Sequence, residues 1–180
     1  METKKTLYFS GYRSFEFGVF QKEDPKITVI KHALTDKLRE YLDLGLEWVI
    51  TSGNLGTELW ALEAAFALQP EYPELKTALI FPYQGFGEKW NEANQTYLQE
   101  ISAQTDFVES TSHRPYEGKN QLVAHTQFLL QHTGGAVLVY DEEFPGKTQW
   151  FLRDARTYQE QTDYLLDFIT MDDLQNTIIE

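Results

Sequence analysis

The segment Ser52–Glu58, with the sequence Ser-Gly-Asn-Leu-Gly-Thr-Glu, carries the residue types best suited to holding a phosphate or a sugar. It follows a short apolar run that ends at Thr51, and Gly53 and Gly56 precede an amphipathic segment. Glycine allows close approach to the backbone, and the first N–H groups of a helix attract anions. The polar side chains of the turn are Ser52, Asn54 and Thr57. The segment predicts a phosphate-binding turn, although an ordinary capped turn also fits.

Glu58 lies in the first turn of the predicted helix, at the shoulder of its apolar stripe. There it could accept ribose hydroxyls, or act as the general base if the protein is an enzyme. The alternative is a carboxylate that merely stabilises the start of the helix through the helix dipole. The sequence leaves both roles open.

Two of the five arginines, Arg13 and Arg114, fall in other predicted loops. A guanidinium can bind phosphate with two parallel hydrogen bonds, but these arginines could equally form surface ion pairs with Glu16 and Glu117. An aromatic ring at the same rim could stack on a base, although most such rings are expected to be packing residues. The other predicted ligand-binding residues of these loops are Gly11, Tyr12, Pro82, Tyr83, His113, Tyr116 and Asp141.

Motifs of several well-known chemistries are missing from the sequence. The turn departs from the dinucleotide-binding pattern G-x-G-x-x-G because Thr51 occupies its first glycine position. Gly146-Lys147-Thr148 resembles the end of the P-loop of nucleoside triphosphatases, but Asp141 stands where the leading glycine is required. There is no H-E-x-x-H, no G-x-S-x-G and no cysteine. The sequence predicts no metal site and no required cofactor, and it favours a nucleotide or ADP-ribose-like ligand.

Short apolar runs alternate with longer amphipathic segments along the chain. The predicted strands are Thr6–Ser10, Trp48–Thr51, Thr77–Phe81, Asp106–Ser110, Ala136–Tyr140 and Leu165–Ile169. The predicted helices are Ile27–Leu44, Leu55–Leu68, Glu88–Gln104, Lys119–Gln131 and Thr148–Gln161, with a short helix after Met171. With right-handed crossovers, this order predicts an α/β fold: a Rossmann-like, doubly wound, mainly parallel sheet of about six strands with helices on both faces. Ligands bind such sheets beyond the carboxyl ends of the strands, where the loops named above would meet.

Composition limits the classes of function. A chain of 180 residues suits a single domain spanning residues 1–180, and the net charge of −13 disfavours general nucleic-acid binding. Without an apolar run of about 20 residues, no membrane insertion is expected. The lack of cysteine fits a reducing cytoplasm. A soluble cytoplasmic protein is therefore expected.

Four segments closely resemble the YpsA family of Gram-positive bacteria, and the resemblance covers essentially the whole chain. They are Ser10–Arg13, Ser52–Trp60, Thr111–Tyr116 and Phe168–Leu174. YpsA proteins belong to the SLOG superfamily, a Rossmann-like group that includes the LOG nucleotide phosphoribohydrolases and the DNA-processing protein DprA. The resemblance implies a nucleotide pocket, with Gly53, Gly56 and Glu58 in its signature loop, and a connection with cell division. The LOG hydrolases carry P-G-G-x-G-T followed by paired glutamates, and this chain departs from that pattern.

Three hypotheses follow from the sequence. The preferred one is a sensor or regulatory protein that binds a nucleotide-like, phosphate-bearing small molecule and acts through a protein partner or a homo-oligomer. The second is an N-glycosidic or phosphoribosyl hydrolase that uses Glu58 as a base or to stabilise an oxocarbenium ion. The third is an interaction protein without catalysis.

Overall fold

The computed structural model describes residues 4–178 of the chain. Strands and helices alternate in the predicted order. The strands are β1 (Thr6–Gly11), β2 (Trp48–Thr51), β3 (Lys76–Phe81), β4 (Phe107–Ser110), β5 (Gly135–Val139) and β6 (Leu165–Ile169). The helices are α1 (Pro25–Asp43), α2 (Thr57–Leu68), α3 (Glu92–Gln104), α4 (Lys119–His132), α5 (Gln149–Gln159) and α6 (Met171–Gln175), with a 3-10 turn at Ser14–Phe17.

All six strands form one parallel sheet with the order β4-β3-β2-β1-β5-β6. The chain winds outward from β1 to β4 and then crosses to β5 on the other side of β1. Helix α1 packs against α2 and α6, α2 packs against α3, and α4 packs against α5. Since right-handed crossovers in opposite directions place helices on opposite faces, the sheet is covered on both sides. The predicted Rossmann-like, doubly wound α/β fold is confirmed.

The core lies between the sheet and these two helical layers. Leu7, Phe9 and Val137 of the central strands are fully buried, as expected for strands with apolar side chains on both faces. Helix α2 is also buried almost all round, and its second turn contributes Leu62 to a separate cluster with Leu98 of α3. A helix this apolar is held between neighbours on several sides.

Four helices begin at other residues than the sequence pattern predicted, and in two of them a side-chain cap sets the start. Helix α2 begins at Thr57 instead of Leu55 and α5 at Gln149 instead of Thr148, without such a cap. Helix α3 begins at Glu92 instead of Glu88, since the Asn91 side chain accepts a hydrogen bond from Asn94 N–H at 2.9 Å. Helix α1 begins at Pro25 instead of Ile27, with Asp24 as its N-cap. No helix within residues 4–178 is long and apolar enough to cross a membrane.

Candidate functional site

The turn after β2 is held against the loop after β1 at the carboxyl edge of the sheet. Arg13 and Gly56 form an isolated antiparallel bridge, and Ser14 N–H donates to the Leu55 carbonyl at 3.0 Å. The carbonyl of Tyr12 accepts from the backbone N–H of Thr57 at 3.2 Å and from its hydroxyl at 2.9 Å. The structure therefore brings Arg13 and the predicted glycine turn together.

Glu58 is the hydrogen-bonding centre of this region and is only 1% exposed. One carboxyl oxygen accepts from the hydroxyls of Tyr8 at 2.7 Å and Ser10 at 2.8 Å. The other oxygen accepts from the backbone N–H and the side-chain amide of Asn54, both at 2.8 Å. These four bonds fill the acceptor positions of a carboxylate. Glu58 thus holds the turn in shape, and it could act as a general base only after releasing one of its donors.

Two strand residues, Tyr8 and Ser10, complete this network, and sequence reasoning missed both as site residues. Burial, followed by the neighbouring Glu58 charge, raises the pKa of the Tyr8 phenol well above its ordinary value. The phenol stays protonated and donates to Glu58, and its oxygen lies 3.0 Å from the Ser52 hydroxyl. The alternation of polar side chains at positions 8 and 10 within an apolar strand was the available signal.

Some backbone donors of the turn are already used within the protein. Asn54 N–H donates to Glu58 and Thr57 N–H to Tyr12. The N–H groups of Glu58 and Leu59, in the first turn of α2, have no protein acceptor among residues 4–178. The Arg13 guanidinium donates to the Gly11 carbonyl at 3.1 Å, beside the same turn. Glu58 and Leu59 are 1% and 0% exposed, so these two amides are closed to solvent in this structure, whereas Arg13 is partly exposed.

The predicted residues of the β3 and β4 loops form a separate group one strand further along the edge. The rings of Tyr83 and Tyr116 lie 5.1 Å apart, and Gln84 N–H donates to the Arg114 carbonyl at 2.9 Å. The Arg114 side chain is 77% exposed and pairs with Glu117 at 3.7 Å, which is the surface pair weighed from the sequence. Other members of this group are Pro82, which is buried, and His113, whose Nδ1 lies 3.8 Å from Glu109 Oε1. Within residues 4–178 no hydrogen bond or ion pair joins Arg114 to the glycine turn.

Tyr12 and Asp141 connect the loops that follow β1 and β5. The Tyr12 hydroxyl accepts from Asp141 N–H at 2.9 Å and lies 2.8 Å from the Phe144 carbonyl oxygen. Tyr12 is 4% exposed, and burial raises the pKa of its phenol to about 12. The Asp141 carboxylate accepts from the backbone N–H of Met171, at the start of α6. In this arrangement both side chains hold the loops together.

His125 reaches this edge from α4, and it lies outside the predicted site residues. It is 7% exposed, and its Nε2 lies 2.8 Å from the Ile80 carbonyl oxygen, so the ring is bound to backbone. Among residues 4–178 there is no group of three or more His, Cys, Asp or Glu side chains that could hold a metal ion.

His125 should make the stability of the protein depend on pH. Burial lowers the pKa of His125, opposed by the Ile80 carbonyl and the Glu58 charge, so the unfolded chain binds this proton more readily. The contribution of neutral His125 to the free energy of unfolding is therefore fully present above the unfolded pKa of about 6.5. It is lost as the pH falls through the lower pKa of the folded protein. The variant His125→Gln can keep a hydrogen-bond donor near Ile80 but has no titrating group there. We expect its free energy of unfolding, measured with urea, to fall less between about pH 7 and 5 than that of the wild type. The exposed His132→Gln serves as the control, and equal slopes for the wild type and His125→Gln would contradict this assignment.

The fold and the glycine turn at the carboxyl edge of the sheet define a Rossmann-like α/β protein. The chain matches the YpsA family model, described as the YspA SLOG family, over residues 7–174, and it belongs to that family. It is 51% identical over 180 residues to a UPF0398 protein of Enterococcus faecalis, with both chains covered in full. A UPF0398 protein of Lacticaseibacillus casei is 46% identical over 173 residues, which cover 96% of this chain and 91% of that one. The resemblance found in the sequence is confirmed.

A solved chain of DNA processing protein A from Helicobacter pylori is also similar to this chain. The work on it concerns the single-stranded DNA binding mode of that protein. The two share 16% sequence identity with a TM-score of 0.49, and the match covers 89% of this chain and 64% of that chain.

Proposed function

We propose that this protein binds a nucleotide-like, phosphate-bearing small molecule at the carboxyl edge of its sheet, in a sensor or regulatory role. The site would be the Gly53–Glu58 turn together with Arg13. The family resemblance adds the proposal that this role is connected with cell division. A net charge of −13 favours a small ligand over a nucleic-acid backbone, which the acidic surface would repel.

The observation that carries this proposal is the way Glu58 is used. Its four hydrogen bonds fix the turn before a ligand arrives, and a preformed turn lowers the ordering cost of binding. The partly exposed Arg13 guanidinium is the group that would meet a phosphate, and the N-terminus of α2 behind it adds the favourable field of the helix dipole. Because the carboxyl group has no acceptor position left, the arrangement supports binding better than hydrolysis.

A ligand panel tests the proposal. The protein is incubated with nucleoside monophosphates, nucleotides, ADP-ribose and single-stranded DNA, while thermal stability and released base are recorded. Stabilisation by a small phosphate ligand without release of base supports the proposal. Base release that is lost in Glu58→Gln would favour the hydrolase, and stabilisation by DNA alone would move the function to nucleic acid. If no ligand changes the thermal stability, the remaining hypothesis is an interaction protein without catalysis.

Arg13→Ala is expected to weaken binding of the stabilising nucleotide about tenfold, because it removes a charge-assisted hydrogen bond to phosphate. The matched control is Arg39→Ala, which removes the same charge from an arginine that pairs with Glu71 on another surface. Isothermal titration calorimetry measures both affinities. Equal affinities for the two variants would place the phosphate elsewhere.

A further inference from the structure

A cleft of about 390 Å³ opens beside α5 and the loop that follows β5, separate from the glycine turn. It is lined by Tyr140, Glu142, Pro145, Gln149, Leu152, Arg153 and Arg156. Tyr140 and Leu152 are nearly buried and supply apolar surface, while the two arginines are exposed. The volume lies within the usual range of small-molecule sites, about 300–1,000 Å³.

We propose that this cleft is a second ligand site, which takes a small organic anion with a carboxylate or phosphate head and a flat apolar body. Two of the five arginines line it, in a chain whose net charge is −13. Distant carboxylates are screened beyond a Debye length of about 8 Å at physiological salt. The charges within that distance therefore decide the potential at the cleft, and they are the guanidinium groups of Arg153 and Arg156 together with their partners Asp154 and Glu142.

The contact between Arg156 and Glu142 shows how the head group would be held. Both terminal nitrogens of Arg156 donate to the two carboxylate oxygens of Glu142, in the forked geometry that carboxylates and phosphates share. Both side chains are about half exposed, at 48% and 57%. Because solvent and salt screen this exposed pair, a ligand that offers the same two oxygens can compete with Glu142 for the fork. Glu142 acts as an internal competitor for the site.

Arg153 is a second cationic group of the cleft, and some of its N–H donors are unpaired within residues 4–178. Its Nε donates to Asp154 at 3.1 Å, and its terminal nitrogens make no hydrogen bond within residues 4–178. The guanidinium carbon lies 5.3 Å from the ring centroid of Trp150, a cation–π contact that orients the side chain. The cleft thus combines two guanidinium groups, those of Arg156 and Arg153, with the apolar surface of Tyr140 and Leu152.

The test uses phenyl phosphate and phthalate, which present the two head groups on the same kind of flat ring, with phenol as the uncharged control. Isothermal titration calorimetry in the millimolar range should detect binding of either anion and none of phenol. The Arg153→Ala/Arg156→Ala double variant should weaken binding about tenfold or more. Which anion binds more tightly identifies the preferred head group.

The sharper variant is Glu142→Gln, which should tighten binding about three- to tenfold because it frees Arg156. Glu71→Gln is the matched control: it removes the same charge and also releases an arginine, Arg39, but on another surface. It should leave the affinity unchanged. Equal tightening in both variants would indicate a general charge effect and would overturn the proposal, as would the absence of binding by both anions.

This site does not depend on the glycine turn, so the two proposals can fail separately. In Arg13→Ala the affinity for phenyl phosphate or phthalate should equal that of the wild type. A loss of binding in that variant, without a loss in the double arginine variant, would assign the anion to the turn after β2 and overturn the second site.

Discussion

Glu58→Ala is expected to lower the free energy of unfolding by about 3–5 kcal/mol, one of the two largest effects that we predict. The substitution leaves the hydroxyls of Tyr8 and Ser10, together with the amides of Asn54, without their acceptor in a buried region. Each buried donor that loses its partner costs about 1–3 kcal/mol, and part of this cost is recovered when water enters the cavity. Urea unfolding followed by circular dichroism measures the change.

Two further variants separate this effect from the loss of a charge. Glu71→Ala removes a carboxylate from an exposed ion pair and should leave the free energy of unfolding nearly unchanged. Glu58→Gln keeps one acceptor oxygen but turns an NH₂ group toward two donors, so it should fall between the wild type and Glu58→Ala. A loss below about 1 kcal/mol in Glu58→Ala would mean that the donors find other partners and that Glu58 does not organise the turn.

Gly56→Ala is expected to destabilise the protein by about 2–5 kcal/mol. Gly56 has φ +118°, a conformation that side chains rarely adopt. A Cβ atom there would lie 2.5 Å from the backbone nitrogen of Ser14 and 2.8 Å from the Tyr12 carbonyl oxygen. Because these neighbours are backbone atoms, the loop after β1 would have to move away from α2, and the bridge between Arg13 and Gly56 would break.

The control for this variant is Gly118→Ala, at the start of α4. A Cβ atom at Gly118 meets nothing within 4 Å, so thermal and urea unfolding should be nearly unchanged. Gly56→Ala should also lose any nucleotide-induced thermal shift, because Arg13 leaves the turn with its loop. A stable Gly56→Ala protein that still binds would contradict the close packing of the two loops.

These two variants test the same property of the molecule, namely that the turn after β2 is built before any ligand is present. Glu58 holds the turn through its hydrogen bonds to Tyr8 and Ser10 of β1, and the loop after β1 holds it through the bridge between Arg13 and Gly56. Such a turn has little freedom to rearrange during a reaction. That rigidity favours the proposed binding role over catalysis.

The sequence by itself determined the architecture and the place of the turn. Alternating apolar and amphipathic segments indicated six strands and six helices, because periodicity of side chains is a local property of the chain. The two glycines before Thr57 marked a strand-to-helix turn for the same reason. Because the turn follows β2, it lies at the carboxyl end of that strand, which is the edge that ligands use in parallel sheets.

Only the tertiary structure decided which side chains meet there. Tyr8 and Glu58 are 50 residues apart, and they meet because β1 and β2 are neighbours in the sheet. Arg114 was predicted beside the turn, yet the sheet order places β3 between its loop and β2. The cleft beside α5 depends likewise on how the loop after β5 folds back to bring Glu142 to Arg156. Contacts between distant segments depend on strand order and loop path, and neither is encoded in a local pattern of residues.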